Sequence, residues 1–329
     1  MSSTDSFRAM NYSEAERLAR GTDQAIRNGD WDALRYCGNR FERGRYYKEA
    51  WKALATGVEA STEIDRPIWG GPDDVCPSLL VLKRSRDLGD ELRIIRLVRT
   101  ATQWVEKVTA LVEPRLIPLL QRSFPEVHFI DRDTPLDLQQ FSHIAAQERL
   151  AYWFGSDEKT LHQSFQPLIP PPTADQPKGI GISWYSRAIG KTLPSLEDWA
   201  HVLRDWPGRV QSLQYREGDA QFRKLSALAG RPIKNGRHID QLNDLDAFAQ
   251  AIIKLKGVLT ISNTTAHMAG ALGIPCVVVL DNGIVTTWPY AAEKTPFYPQ
   301  TRLIRRNQLS WEEALHKGRK TLNSMIETE

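Results

Sequence analysis

The residues best suited to chemistry in this chain are Ser262, Asn263, Thr264 and Thr265. They are three hydroxyls and an amide, placed where an apolar run, Val258–Ile261, gives way to a small, helix-permissive one, Ala266–Leu272. A helix start carries unpaired N–H groups and the positive end of the helix dipole. With hydroxyls on the approach it favours an anion such as a phosphate. A plain N-cap, worth about 1 kcal/mol, would account for one of the four side chains and not the set. His267 falls in the first turn of that helix. It either contacts a phosphate or is a buried, satisfied histidine.

Two further clusters could supply charge. Asp87-Leu88-Gly89-Asp90 lies where a first strand hands over to a helix. A carboxylate there can act as a general base if it faces a substrate hydroxyl, and Gly89 permits close backbone approach. Alternatively, Asp87 or Asp90 caps the helix. Ser183-Trp184-Tyr185-Ser186-Arg187, with Lys191 nearby, follows another strand. Arg187 and Lys191 could neutralise charge developing on a leaving diphosphate, or form a solvated loop. Asp131-Arg132-Asp133 is a D-x-D, a pattern cheap by chance. The seven histidines and three cysteines show no metal-ligand spacing, so no metal site is expected. P-loop, G-x-G-x-x-G and G-x-S-x-G motifs are all absent.

The elements that must position these groups alternate. Gly257–Leu280 reads as strand, polar elbow, helix and strand, with Gly273-Ile274-Pro275 ending the helix. Strands are expected at Leu79–Lys83, Val108–Val112, Val127–Ile130, Gly179–Trp184, Val210–Gln214 and Leu303-Ile304. Helices are expected at Glu91–Trp104, Arg115–Arg122, Phe141–Phe154, Ser195–Arg204, Asp219–Ala229 and Leu245–Lys256. This alternation is that of βαβ units with parallel sheets. Ser310 and Glu313 fit a capping box for a last helix. The proline-rich stretch Gln166–Pro177 reads as a hinge. Residues Asn11–Ser61 read as all-helical. Asp32–Ala60 looks like one tetratricopeptide-type hairpin, although a stable stack needs roughly three such units. The favoured reading of that segment is a helical cap on the next domain. The fold class is therefore α/β. We expect a helical segment at residues 1–65 and Rossmann-like βαβ domains at 66–172 and 173–329, facing a cleft. In such sheets ligands bind at the carboxyl ends of the strands.

Composition bounds the function. A chain of 329 residues with 41% hydrophobic and 25% charged side chains is an ordinary globular sequence, long enough for two domains. A net charge of +3 gives no reason to propose nucleic-acid binding. No stretch approaches the ~20 apolar residues of a membrane helix, so no integral membrane segment is expected. Cys37, Cys76 and Cys276 are odd in number and far apart, which fits a reducing cytoplasm.

Taken together, these segments resemble the heptosyltransferase-like glycosyltransferases of GT-B fold. Gly257–Leu280 is similar to their diphosphate-binding segment, and Leu88-Gly89-Asp90 to their N-terminal Gly-Asp loop. Gly181-Ile182-Ser183-Trp184 resembles the opening of their second domain. Ser212-Leu213-Gln214-Tyr215 with Gly218-Asp219, and Trp288 with Phe297-Tyr298-Pro299, also fit. The order agrees over about Leu79–Arg305. Bacterial members linked to tetratricopeptide repeats look most similar. The resemblance implies an inverting, metal-independent transfer from a nucleotide-diphosphate sugar, with that sugar as co-substrate and no separate cofactor. It implies Asp90 as base, with Asp87 and Gly89 in the loop near the acceptor. Arg187 or Lys191 would meet the diphosphate. Ser183, Ser262, Asn263, Thr264, Thr265 and His267 would lie on the donor side. The acceptor would be a glycan, a lipid or a protein. Ser262-Asn263 stands where these enzymes usually carry Asp-Thr, which leaves the donor sugar open. Two rivals remain: a non-catalytic helical adaptor with a degenerate nucleotide- or sugar-binding domain, and a two-domain nucleotide-sugar epimerase.

Overall fold

The computed structural model describes residues 10–62, 64–83, 87–188, 190–215, 219–236, 240–281 and 288–327. The chain divides into two compact units at Gln166 and Pro167, and the short stretch ending at Ala291 returns to the first.

The first unit opens with helices α1 (Tyr12–Asn28), α2 (Trp31–Arg43) and α3 (Tyr47–Ala60). Asn11 and Asp30 cap the first two through backbone N–H groups three residues on. Gly38 of α2 lies flush against α3, where a Cβ would stand 2.5 Å from Leu54. The helices are fastened to the α/β part of the same unit. Trp51 donates to the Gly155 carbonyl at 2.8 Å, and the buried Glu59 accepts from Arg149 and from the Ala146 N–H.

Then come β1 (Cys76–Leu82), α4 (Leu88–Ile94), α5 (Leu97–Ala101), β2 (Val105–Val112), α6 (Ile117–Ser123), β3 (His128–Asp131), β4 (His143–Ala146), α7 (Gln147–Phe154) and α8 (Glu158–Gln163). The sheet is parallel, in the order β3-β2-β1-β4. Two expectations are corrected here. The single helix over Glu91–Trp104 is two pieces that begin at Leu88. The buried Arg96 stands between them, and its guanidinium donates to the Leu161 carbonyl at 2.8 Å. The helix over Phe141–Phe154 begins only at Gln147. His143–Ala146 instead pairs with Leu79–Leu82 of β1, and burial of Ile144 beside Leu80 outweighs local helix preference.

The second unit contains β5 (Ile180–Ser183), α9 (Leu196–Arg204), β6 (Val210–Ser212), α10 (Asp219–Ala229), α11 (Leu245–Ile253), β7 (Gly257–Ile261), α12 (Thr264–Ala271), β8 (Cys276–Leu280), β9 (Thr301–Arg305) and α13 (Trp311–Glu327). Its parallel sheet runs β6-β5-β7-β8-β9. β7 and β8 are buried at every position, as expected of strands covered on both faces. Trp199, Leu203 and Leu315 pack one face against Ile180, Ile182 and Val279. α12 is buried nearly all round, and Gly270 lets it press on the Tyr298 ring. Gly273, at φ 74°, ends it in the left-handed conformation. Ser310 and Glu313 form the expected reciprocal cap of α13. All three cysteines are buried thiols.

Candidate functional site

In the second unit, β5 is followed in sequence by β6 on one side, and the chain then crosses to place β7 on the other. The order therefore reverses between β5 and β7. Crevices at the carboxyl ends of such a pair are where open α/β sheets bind ligands. Ser183 ends β5, and the elbow follows β7 directly.

The elbow is built by Asn263. It caps α12, accepting from the Ala266 N–H at 3.2 Å. Its amide nitrogen donates to Ser183 Oγ at 2.9 Å and to the Tyr185 carbonyl at 3.3 Å. Thr260 Oγ1 donates to the Ser183 carbonyl at 3.0 Å. Gln214, two residues past β6, accepts from Ser183 Oγ at 3.0 Å and from the Trp184 and Tyr185 N–H groups, both at 2.9 Å. The loops after β5, β6 and β7 are thus tied into one polar knot. Ser183 is fully buried within it, and Asn263 is 7% exposed.

Around the knot stand further polar and charged groups. Lys191 donates to the Ser262 carbonyl at 2.8 Å and to Ser262 Oγ at 3.2 Å, which brings an ammonium to the start of α12. Thr264 and Thr265 form the first turn, the former half-buried and the latter buried. The Thr265 hydroxyl has no hydrogen-bond partner among the described residues. Asp281, after β8, accepts from the Thr192 N–H at 2.9 Å and pins the loop that carries Lys191. His267 is 6% exposed, and its Nδ1 lies 3.1 Å from the Tyr298 hydroxyl. Of the two cations expected here, Lys191 reaches the elbow, whereas Arg187 is exposed in the same loop.

The sequence singled out neither Gln214 as a site residue nor Thr260 or Asp281 at all. Each acts through partners 29 to 89 residues away, a relation no local pattern records.

The other expected residues belong to the first unit. Its sheet order also reverses, between β1 and β4, and the chain leaves β1 towards Asp87. Asp87 occupies the N-cap position of α4, but its side chain makes no capping bond. Gly89 and Asp90 lie in the first helical turn rather than in a preceding loop, which corrects that expectation. Asp90 Oδ1 is 3.0 Å from Arg93 Nη2, and its side chain is 21% exposed. Arg93, at 1%, also pairs with the buried Glu42 of α2. Lys83 pairs with Glu91 in the same layer, and Glu91 Oε1 accepts from the Glu113 N–H at 3.1 Å.

Asp131 closes a turn onto the Asp133 N–H at 2.9 Å, and Arg132 pairs with Glu113 at 2.8 Å. Among the described residues, no group of three His, Cys, Asp or Glu side chains is placed to hold a metal, and no helix is long and apolar enough to cross a membrane. Gly218, part of the resemblance, lies outside the described residues.

No protein-family model matches the chain. It is similar in structure to the family 9 glycosyl transferase of Veillonella parvula, with a TM-score of 0.52 at 10% identity, over 77% of this chain and 98% of that one. It is also similar to TibC of enterotoxigenic E. coli, an iron-containing dodecameric heptosyltransferase solved with ADP-D-beta-D-heptose. There the TM-score is 0.51 at 12% identity, over 77% of each chain. The chain has a heptosyltransferase-type fold. A curated relative, protein FlbA of Caulobacter vibrioides, is 24% identical over 283 residues. That match takes in 74% of this chain and 46% of FlbA, so the chain spans about half the length of that relative. In this heptosyltransferase-type fold, the Ser183–Asn263 knot occupies the switch point of the second sheet.

Proposed function

We propose that the protein is a glycosyltransferase that moves a sugar from a nucleotide-diphosphate donor to an acceptor hydroxyl. The observation that carries this reading is the Lys191 ammonium held against Ser262, at the start of a buried helix and beside a switch point. A diphosphate there would meet the ammonium, the Thr264 hydroxyl and the positive end of α12, with the Thr265 hydroxyl buried behind them.

In this scheme Asp90 accepts the proton of the acceptor hydroxyl. The oxygen attacks the anomeric carbon from the face opposite the diphosphate. The bond to the diphosphate breaks with its electron pair, and the charge is met by Lys191 and the helix start. The sugar would arrive with inverted configuration, and the protein's own cations would do the work of a metal. The acceptor would be a glycan, lipid or protein, in the cytoplasm. Fit of Gly38 against Leu54 supports a tetratricopeptide-type hairpin for α2 and α3.

A second reading, a non-catalytic adaptor, is favoured by one observation. Ser183 and Asn263 spend their side chains on each other and on neighbouring backbone. The two readings part in a thermal-shift screen of nucleotide diphosphates and their sugars, followed by donor turnover. Binding at 100 times the dissociation constant stabilises a fold by about 2.7 kcal/mol. Binding with turnover supports the enzyme, and binding without it supports the adaptor. Equal turnover by wild type and Asp90→Ala would remove Asp90 as the base.

A further inference from the structure

The second unit holds a cavity of about 480 Å³ at the other end of its sheet. Lys178 immediately precedes the Gly179 that leads into β5, and Arg209 immediately precedes β6. The elbow follows the far ends of β5 and β7. A four-residue strand at about 3.3 Å per residue puts roughly 13 Å of sheet between the two places.

Among the described residues, four cations line this cavity: Lys178, Arg209, Lys234 and Lys254. Asp175 is the one acidic residue among the described residues of the lining, and it is paired to Lys254 at 2.9 Å. Among the described residues, no carboxylate pairs with Arg209 or Lys234. The described lining therefore carries an excess of three positive charges.

Their backbones are fixed by the sheet. Lys178 N–H donates to the Lys254 carbonyl at 2.9 Å, and Lys234 N–H to the Val210 carbonyl at 2.8 Å. The Arg209 carbonyl accepts from the Ile180 N–H at 2.9 Å. The cations thus project from a rigid frame rather than from free loops, which lowers the ordering cost of binding.

The space itself is set by residue choice. Ala247, Gln250 and Ala251 of α11, with Lys254 at its C-cap, recur at helical spacing along the face that lines the cavity. Larger apolar residues of α11, Leu245, Phe248 and Ile252, are buried elsewhere. Two alanines leave the volume open, and Gln211 of β6 adds an amide to the wall while only 8% exposed. A volume of this size is that of a small-molecule site. Amides beside cations suit a ligand that carries both phosphate and hydroxyl groups.

We propose that this cavity is a second anion site, separate from the elbow, which takes a phosphate-bearing small molecule of sugar-phosphate size. It does not depend on the glycosyltransferase reading, because it uses none of the elbow residues.

The test is isothermal titration of the full chain with inorganic pyrophosphate at low and physiological salt. Three variants are compared: the pair Arg209→Ala with Lys234→Ala, Ala251→Phe, and Lys191→Ala. The first removes two exposed cations, the second fills the cavity with its charges intact, and the third removes the elbow cation. The expected result is a pyrophosphate site weakened about tenfold or more by the double variant and by Ala251→Phe, and unchanged by Lys191→Ala. Unchanged affinity in the double variant would overturn the proposal. So would loss of all binding in Lys191→Ala. If Ala251→Phe fails to fold, Ala247→Leu tests the same volume. An insensitive response to filling would mean diffuse surface charge and also overturns the site. Binding to phosphatidylglycerol vesicles that the double variant abolishes, without pyrophosphate binding, would assign the patch to a membrane surface and overturn it as well.

Discussion

Asn263 and Ser183 are 80 residues apart in sequence, yet the amide nitrogen of one lies 2.9 Å from the hydroxyl oxygen of the other. The same Asn263 side chain caps α12 through its oxygen. One residue therefore both starts the helix and holds the β5 loop beside it.

Asn263→Ala removes the cap and leaves the buried Ser183 hydroxyl with one partner fewer. A cap costs about 1 kcal/mol and an unsatisfied buried polar group about 1–3 kcal/mol. We expect a loss of about 2–4 kcal/mol by urea unfolding. Asn263→Asp keeps the cap acceptor but cannot donate to Ser183 or to the Tyr185 carbonyl, so it should recover only part of that loss.

Lys191→Ala should leave folding nearly unchanged, since its ammonium sits at the half-exposed edge of the knot. Nucleotide-diphosphate binding should weaken about tenfold or more, as charge-assisted bonds are the strong ones. Calorimetry with matched wild type checks this, and equal affinity would remove Lys191 from the donor site. Arg187→Ala, at an exposed position, should have a smaller effect.

Arg93→Ala would leave the Glu42 carboxylate buried without its guanidinium. Breaking a buried pair by removing one partner costs about 3–5 kcal/mol. Denaturant unfolding should show a loss of that order. The double change Arg93→Met with Glu42→Leu should recover much of it, since the deeply buried charge is then gone and only the partly exposed Asp90 loses a partner.

Glu113 gives a pH prediction. Burial pushes its carboxyl pKa up, but the Arg115 guanidinium, bonded at 2.7 Å, and Arg132 prevail and hold it below the ordinary glutamate value. A pKa depressed in the folded state adds stability above the unfolded value, and that stability is lost as pH falls through the folded one. Unfolding free energies measured from pH 7 down through pH 4 should therefore fall less steeply for Glu113→Gln than for wild type. Parallel curves would contradict the role.

Much of the frame was legible along the chain. Cys276–Leu280 is a strand at the predicted bounds because a fully apolar run between turn signals has few alternatives. Ser195 and Ser310 mark helix starts that the structure keeps, since capping is a local interaction. His143–Ala146 was not legible, because its strand exists only through pairing with β1.

The sequence by itself determined the alternation of strands and helices and the hydroxyl-rich elbow at Ser262–Thr265. Those follow from periodicity and local hydrogen bonding. Only the tertiary structure decided that β7 lies beside β5, that Gln214 and Asn263 close on Ser183, and that Lys191 rather than Arg187 reaches the elbow. Strand order is set by which buried faces pack together across long stretches of chain, and local propensity carries no record of that choice.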